Sequence, residues 1–149
     1  MASELDKIAE ELQEQIWADY TETVIDHAQN PRNMGNIHDA DGFGRVTGPC
    51  GDTMEMWLKV RNSIIKQAMF QSDGCGTTVA AGSMVTEMAK EKTISAASKI
   101  TQQDVLDSLG GLPEESVHCA LLAANTLKMA IKDYLANRNE PWKKAYRKP

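Results

Sequence analysis

The three cysteines, Cys50, Cys75 and Cys119, each stand where one regular pattern gives way to another. Cys50 lies in Gly48-Pro49-Cys50-Gly51-Asp52, ahead of a stretch that alternates like a strand. Cys75 lies in Gly74-Cys75-Gly76, between strand-like and helix-like stretches, and Cys119 follows His118 at the opening of the last helical pattern. Element ends carry backbone N–H groups without partners and can converge in space, which suits a metal or reactive-thiol site better than a core. No Cys-x-x-Cys pair is present, so joint action depends on the fold.

Asp52 is two residues from Cys50, and in extended geometry the two side chains share a face. His118 and Cys119 are about 100° apart around a helix axis and reach one centre only over its first turn. Three thiolates, one imidazole and one carboxylate form a soft donor set with one hard member. Sulfur favours zinc, copper(I) or an iron–sulfur centre, and neutral imidazole suits zinc or iron. A structural zinc site uses four ligands, closely spaced in pairs, whereas five donors drawn from element ends fit an exchangeable, incompletely closed site. A free cysteine alone is more often a small buried hydrophobe; the joint placement is what argues for a site. His27, beside an apolar stripe, reads as structural, His38 as solvated, and the eight methionines mostly as core filler. No glycine-rich phosphate loop or dinucleotide fingerprint is present. Cys50 or Cys75 could pair with His118 as a nucleophile, but nothing selects an acyl substrate, so a thiol hydrolase is disfavoured.

The elements that must position these groups follow from periodicity. Ile8, Leu12, Ile16, Tyr20, Val24 and Ala28 trace helix over Ser3–Gln29 in two parts, the first only marginally docked, before Asn30-Pro31 breaks it. Gly44–Thr47 is a short candidate strand. Met54, Met56, Leu58 and Val60 alternate with Glu55, Trp57 and Lys59, and after a turn at Asn62-Ser63 a second strand sets Ile64, Ala68 and Phe70 against Ile65, Gln67 and Met69. A helix over Thr77–Ala89 has small residues, Ala80 to Ser83, that permit close approach to the sheet. A helical turn at Ser95–Lys99, a helix capped by Thr101 and stopped at Gly110-Gly111, and a last helix starting from Leu112–Ser116 complete the pattern. Its stripe is Ala120, Ala124, Leu127, Ile131 and Leu135, with Cys119 on the flank. The expected fold is α+β: a small three-stranded antiparallel sheet packed against about five helices.

The chain of 149 residues is 42% hydrophobic, enough for one core without disulfides. Sixteen Lys and Arg against 21 Asp and Glu give a formal charge of −5, which disfavours nucleic acid as a partner. Three cysteines cannot all pair, and neither an apolar leader nor a membrane-length run is seen, so the simplest reading is a reduced, cytoplasmic protein without a membrane. The expected divisions are a helical extension at 1–16, a domain at 17–137 and a basic tail at 138–149 carrying Trp142, Lys143, Lys144, Tyr146, Arg147 and Lys148.

The segments Tyr20–His27, Asn30–Asn33, Gly48–Met54, Gly74–Ser83, Thr86-Glu87, His118–Ala123 and Ala130–Tyr134 resemble the iron–sulfur cluster assembly scaffold family of the IscU and NifU N-terminal-domain type. The resemblance implies that Cys50, Cys75 and Cys119 are the scaffold thiolates, His118 a further ligand and Asp52 the carboxylate that keeps a nascent [2Fe-2S] cluster labile. It implies a scaffold and carrier rather than an enzyme. Its partners would be a cysteine desulfurase that delivers persulfide, an electron donor such as ferredoxin, and apo iron–sulfur acceptor proteins; a homodimer is left open. Cys119 is the expected persulfide acceptor, its place at a positive helix end favouring thiolate. Zinc is expected at the same residues in protein isolated without iron, and the alternative is a zinc-dependent sulfur acceptor for a desulfurase. His118 argues against the zinc-dependent SufU branch, which lacks histidine there. Where many members carry Leu-Pro-Pro-Val-Lys, this chain reads Leu112-Pro113-Glu114-Glu115-Ser116, which argues against a dedicated Hsp70. The resemblance is to the scaffold module alone of full NifU proteins.

Overall fold

A computed structural model describes residues 3–139, the side chains of 13–17 and 139 excepted. Helices α1 (Glu4–Trp17) and α2 (Glu22–Gln29) precede strands β1 (Gly42–Thr47), β2 (Thr53–Arg61) and β3 (Ile64–Ser72). Helices α3 (Gly76–Ala89), α4 (Ile94–Ala97) and α5 (Gln102–Leu109) follow; a 3-10 turn at Glu114–Ser116 then leads into α6 (Val117–Asn139). The sheet is antiparallel in the order β1-β2-β3, so the expected α+β meander is present. Ser3–Gln29 divides into two helices as expected, and six helices appear among the described residues because the Ser95–Lys99 turn is the four-residue helix Ile94–Ala97. The last helix begins at Val117, after the 3-10 turn, instead of at Leu112. Thr101 caps α5 through a reciprocal capping box with Asp104, and Gly110 ends it at φ +81.

One face of the sheet is covered by α3 and α6. Met54, Met56, Leu58, Phe70, Ala81, Val85, Ala123 and Leu127 are buried in the shared core. In β3 the expected pairing of faces is corrected. Lys59 stands opposite Gln67 while Val60 stands opposite Ile65, so Lys66 is an extra residue in the ladder. The bulge reverses the alternation, and Ile65 rather than Ile64 joins Ala68 and Phe70 inside. On the other face, Trp57 is buried because Phe43, its cross-strand partner, lies against it with ring centroids 5.3 Å apart.

Close approach of the helices requires missing side chains. A Cβ on Gly82 would meet the Phe70 ring at 2.6 Å, so α3 sits directly on β3. A Cβ on Gly44 would meet the backbone of Ala130 and Thr126 at 2.6 Å, so the α6 backbone lies on β1. In α1 the apolar positions Leu5, Ile8 and Leu12 are exposed, in keeping with weak docking of that helix. The 138–149 tail lies outside the described residues from 140 onward.

His27 is structural, buried between α2 and α3. Its Nδ1 is 2.7 Å from Ser83 Oγ, which also accepts the Arg32 backbone N–H at 2.9 Å. The hydroxyl has one proton and two lone pairs, so it can take the Arg32 N–H and still close the bond to Nδ1 in either ring tautomer. Burial pushes the His27 pKa below its ordinary 6.5, and the Arg32 charge adds to this against Asp26 and Glu87. The unfolded chain thus binds the proton more readily, so this group removes stability as pH falls below about 6.5. Thermal midpoints measured from pH 7.5 to 5.5 should fall with acidity, and less steeply in His27→Asn, which keeps an acceptor near the Nδ1 position. Equal slopes in the two proteins would contradict this role for His27.

Candidate functional site

The N-termini of α3 and α6 meet beside the hairpin that joins β1 to β2. Thr47 pairs with Thr53, leaving Gly48–Asp52 as the loop. Gly48 N–H donates to the Asp52 carbonyl at 2.7 Å, Gly51 N–H donates to the Gly48 carbonyl at 3.0 Å, and Gly51 takes φ +87. Cys50 and Asp52 therefore do not share an extended face as expected; Cys50 is exposed near the loop's tip, and Asp52 closes its base. The signal was present in Gly48-Pro49 and Gly51, which favour a turn.

Cys75 is the N-cap of α3 and is exposed. Cys119 lies in the first turn of α6 and is 2% exposed. The His118 ring turns back along that turn, its Nε2 3.7 Å from Cys119 Sγ. Joining these groups is a residue the sequence reasoning missed. Thr78 Oγ1 donates to Asp52 Oδ2 at 3.0 Å and lies 3.4 Å from Cys119 Sγ and 3.8 Å from Cys75 Sγ. Its spacing one turn beyond Cys75 was the available signal. Asp52, Cys75, His118 and Cys119 thus belong to one connected cluster, and Cys50 is near enough for its charge to act on Cys119. Among the described residues, no three His, Cys, Asp or Glu side chains are grouped closely enough to hold one metal ion.

The two inner thiols differ. Burial pushes the Cys119 pKa up, with the Cys75, Asp52 and Cys50 charges adding to it. The expectation that the helix end would favour a Cys119 thiolate is therefore corrected: removal from water outweighs the lowering effect of the Thr78 hydroxyl. Burial also acts to raise Cys75, but bonds from Thr78 and Thr77, led by the Thr78 backbone, outweigh it and hold the pKa below its ordinary value. The Thr78 hydroxyl has one proton and Asp52 is its nearest acceptor, so the backbone N–H groups of the helix end carry the Cys75 effect.

Comparison with known proteins matches residues 19–141 to the family model described as the NifU-like N terminal domain. The chain is 52% identical over 116 residues to the protein named iron-sulfur cluster assembly scaffold protein IscU 1 of Archaeoglobus fulgidus, covering 77% of this chain and 76% of that one. It is 46% identical over 120 residues to the IscU scaffold protein of Aquifex aeolicus, with 78% and 76% covered. In three dimensions it is similar to the N-terminal part of a NifU-like protein from Brucella abortus, with a TM-score of 0.64 at 18% identity over 81% of this chain and 97% of that one.

In the reduced, metal-free protein near neutral pH, iodoacetamide should modify Cys75 at least about tenfold faster than Cys119, because the thiolate is the nucleophile and only Cys75 is both exposed and thiolate-favouring. Peptide mapping by mass spectrometry reads the order. Equal rates before denaturation, or Cys119 first, would contradict the geometry.

Proposed function

The chain belongs to the NifU-like N-terminal-domain family, and we propose that it is a scaffold on which a labile [2Fe-2S] cluster is assembled and then passed to apo-proteins. Iron and sulfide are its cargo. The observation that carries this reading is the meeting of Cys119, Cys75 and Asp52 around one hydroxyl at the joint of two helix ends, with His118 beside them. Thiolates suit iron–sulfur species and zinc, so the donor set fits the cargo. A carboxylate is a harder ligand than thiolate and gives the cluster a weaker vertex, in keeping with a scaffold that must release what it builds.

Sulfur arrives as persulfide on a cysteine desulfurase, and Cys119 is its proposed acceptor. The Cys119 thiolate attacks the outer sulfur; a new S–S bond forms, the donor's S–S bond breaks, and the donor leaves as thiolate. Burial keeps Cys119 protonated, so this step needs local opening or a nearby cation, which favours thiolate. Cys75, exposed and thiolate-favouring, and Cys50, near the hairpin tip, are placed to take iron from outside. A reductant such as ferredoxin supplies electrons, and the cluster leaves with an acceptor rather than as a product of catalysis. The sequence Leu112–Ser116 disfavours a dedicated Hsp70 in that last step. We place the scaffold unit at 17–137, with α1 as an extension, and the working compartment in the cytoplasm; no helix among the described residues is long and apolar enough to cross a membrane.

Anaerobic reconstitution with ferrous iron and sulfide should give iron–sulfur absorption that decays on transfer to an apo-ferredoxin. In Asp52→Ala the cluster should persist roughly tenfold longer, the scale on which changes around a metal's ligands act. A wild-type protein that retains zinc, accepts persulfide and never develops the chromophore would leave the zinc-dependent sulfur acceptor instead. Unchanged retention in Asp52→Ala would remove the role given to that carboxylate.

A further inference from the structure

Three fully buried threonines in α3 and α6 use their hydroxyls differently. Thr86 Oγ1 donates back to its own helix, to the carbonyls of Gly82 at 3.0 Å and Ser83 at 2.9 Å, and Thr126 Oγ1 donates to Leu122 at 2.7 Å. That is the ordinary way for a helical threonine to satisfy its hydroxyl without water. Thr78, fully buried in the first turn of α3, instead donates to Asp52 in the β1–β2 loop and meets the thiols of Cys119 and Cys75. One side chain therefore touches three of the five candidate ligands, from three separate parts of the chain.

Its position is fixed by a neighbour. A Cβ on Gly74 would lie 2.7 Å from Thr78 Cβ, Cγ2 and Oγ1 alike, so the bare glycine leaves the niche that the threonine fills. The hydroxyl has a single proton, which goes to Asp52 at 3.0 Å, and the same oxygen lies 3.4 Å from Cys119 Sγ. Asp52 and Cys119 are thereby bridged by one atom. The bridge occupies Oδ2 of Asp52, and a cation that takes that oxygen in place of the hydroxyl proton orphans the buried hydroxyl.

We propose that Thr78 is a positioning residue of the assembly site: its hydroxyl latches Asp52 to Cys119 in the unloaded chain and competes with any cation that takes Asp52 through Oδ2. The inference rests on the scaffold reading and adds to it a built-in competitor for the cargo. The latch weakens metal binding at the harder ligand while holding that ligand beside the sulfur it must join.

The test compares Thr78→Val, which keeps the branched shape and removes the hydroxyl, with Thr78→Ser, which keeps the hydroxyl. Zinc affinity, measured by competition with a chromophoric chelator, should tighten about tenfold in Thr78→Val, the scale of losing one hydrogen bond to a charged group, and stay near wild type in Thr78→Ser. In an Asp52→Ala background, Thr78→Val should have no further effect. In the metal-free protein the Asp52 carboxyl carbon resonance should move in Thr78→Val and not in Thr78→Ser. Unchanged or weaker zinc binding in Thr78→Val, a persistent effect without Asp52, or an unmoved resonance would each overturn the latch. Failure of the wild type to build an iron–sulfur chromophore would remove the scaffold reading but leave these zinc and resonance comparisons as the test of Thr78.

Discussion

The backbone of α6 rests on β1 because Gly42 and Gly44 have no side chains to hold it off. At Gly42 a Cβ would lie 2.5 Å from the Ala130 carbonyl oxygen, and at Gly44 it would lie 2.6 Å from Ala130 N and Thr126 O. With α6 down on β1 and α3 down on β3 at Gly82, the two helices pack against each other over the same sheet face. Their first turns then meet at the hairpin that carries Cys50 and Asp52. Nothing in the site needs a local knuckle of ligands, because the sheet and the two helices act as the spacer.

This placement gives chemically identical side chains different characters. Cys119 is sealed under the helices and keeps its proton, whereas Cys75 faces outward among the N–H groups at the start of α3. Cys50 is exposed near the tip of a loop, with Gly51 at its flank. One buried thiol, one exposed thiol at a helix end and one exposed thiol on a loop make an open site rather than a preformed tetrahedral cage. The 3-10 turn at Glu114–Ser116 adds to the control, because it fixes where α6 begins and so where His118 and Cys119 point.

The fold was largely legible because each element announces itself by period and by its stops. Thr101 and Gly110 bracket α5 as read, and Ala80–Ser83 in α3 allow the approach to the sheet that their size implied. The misreadings share a cause: one extra residue or one turn changes direction without changing composition. The bulge at Lys66 reverses which residues of β3 face inward, and the loop at Gly48–Asp52 parts Cys50 from Asp52 despite their spacing. For Cys119, sequence showed a helix start but not the depth of burial, which depends on how closely β1 and α3 pack. Thr78 was invisible for a related reason. A threonine in an apolar helix reads as filler until the hairpin's carboxylate is seen within its reach.

The central claim is that thiols far apart in sequence serve one centre together with an imidazole and a carboxylate. Zinc-edge X-ray absorption on the zinc-loaded protein tests it most directly, with each cysteine replaced in turn by serine. The account predicts a mixed shell with sulfur at about 2.3 Å and nitrogen or oxygen at about 2.0 Å, losing sulfur in each of Cys50→Ser, Cys75→Ser and Cys119→Ser. A shell of nitrogen and oxygen alone, or a sulfur count untouched by any one of the three replacements, would contradict it.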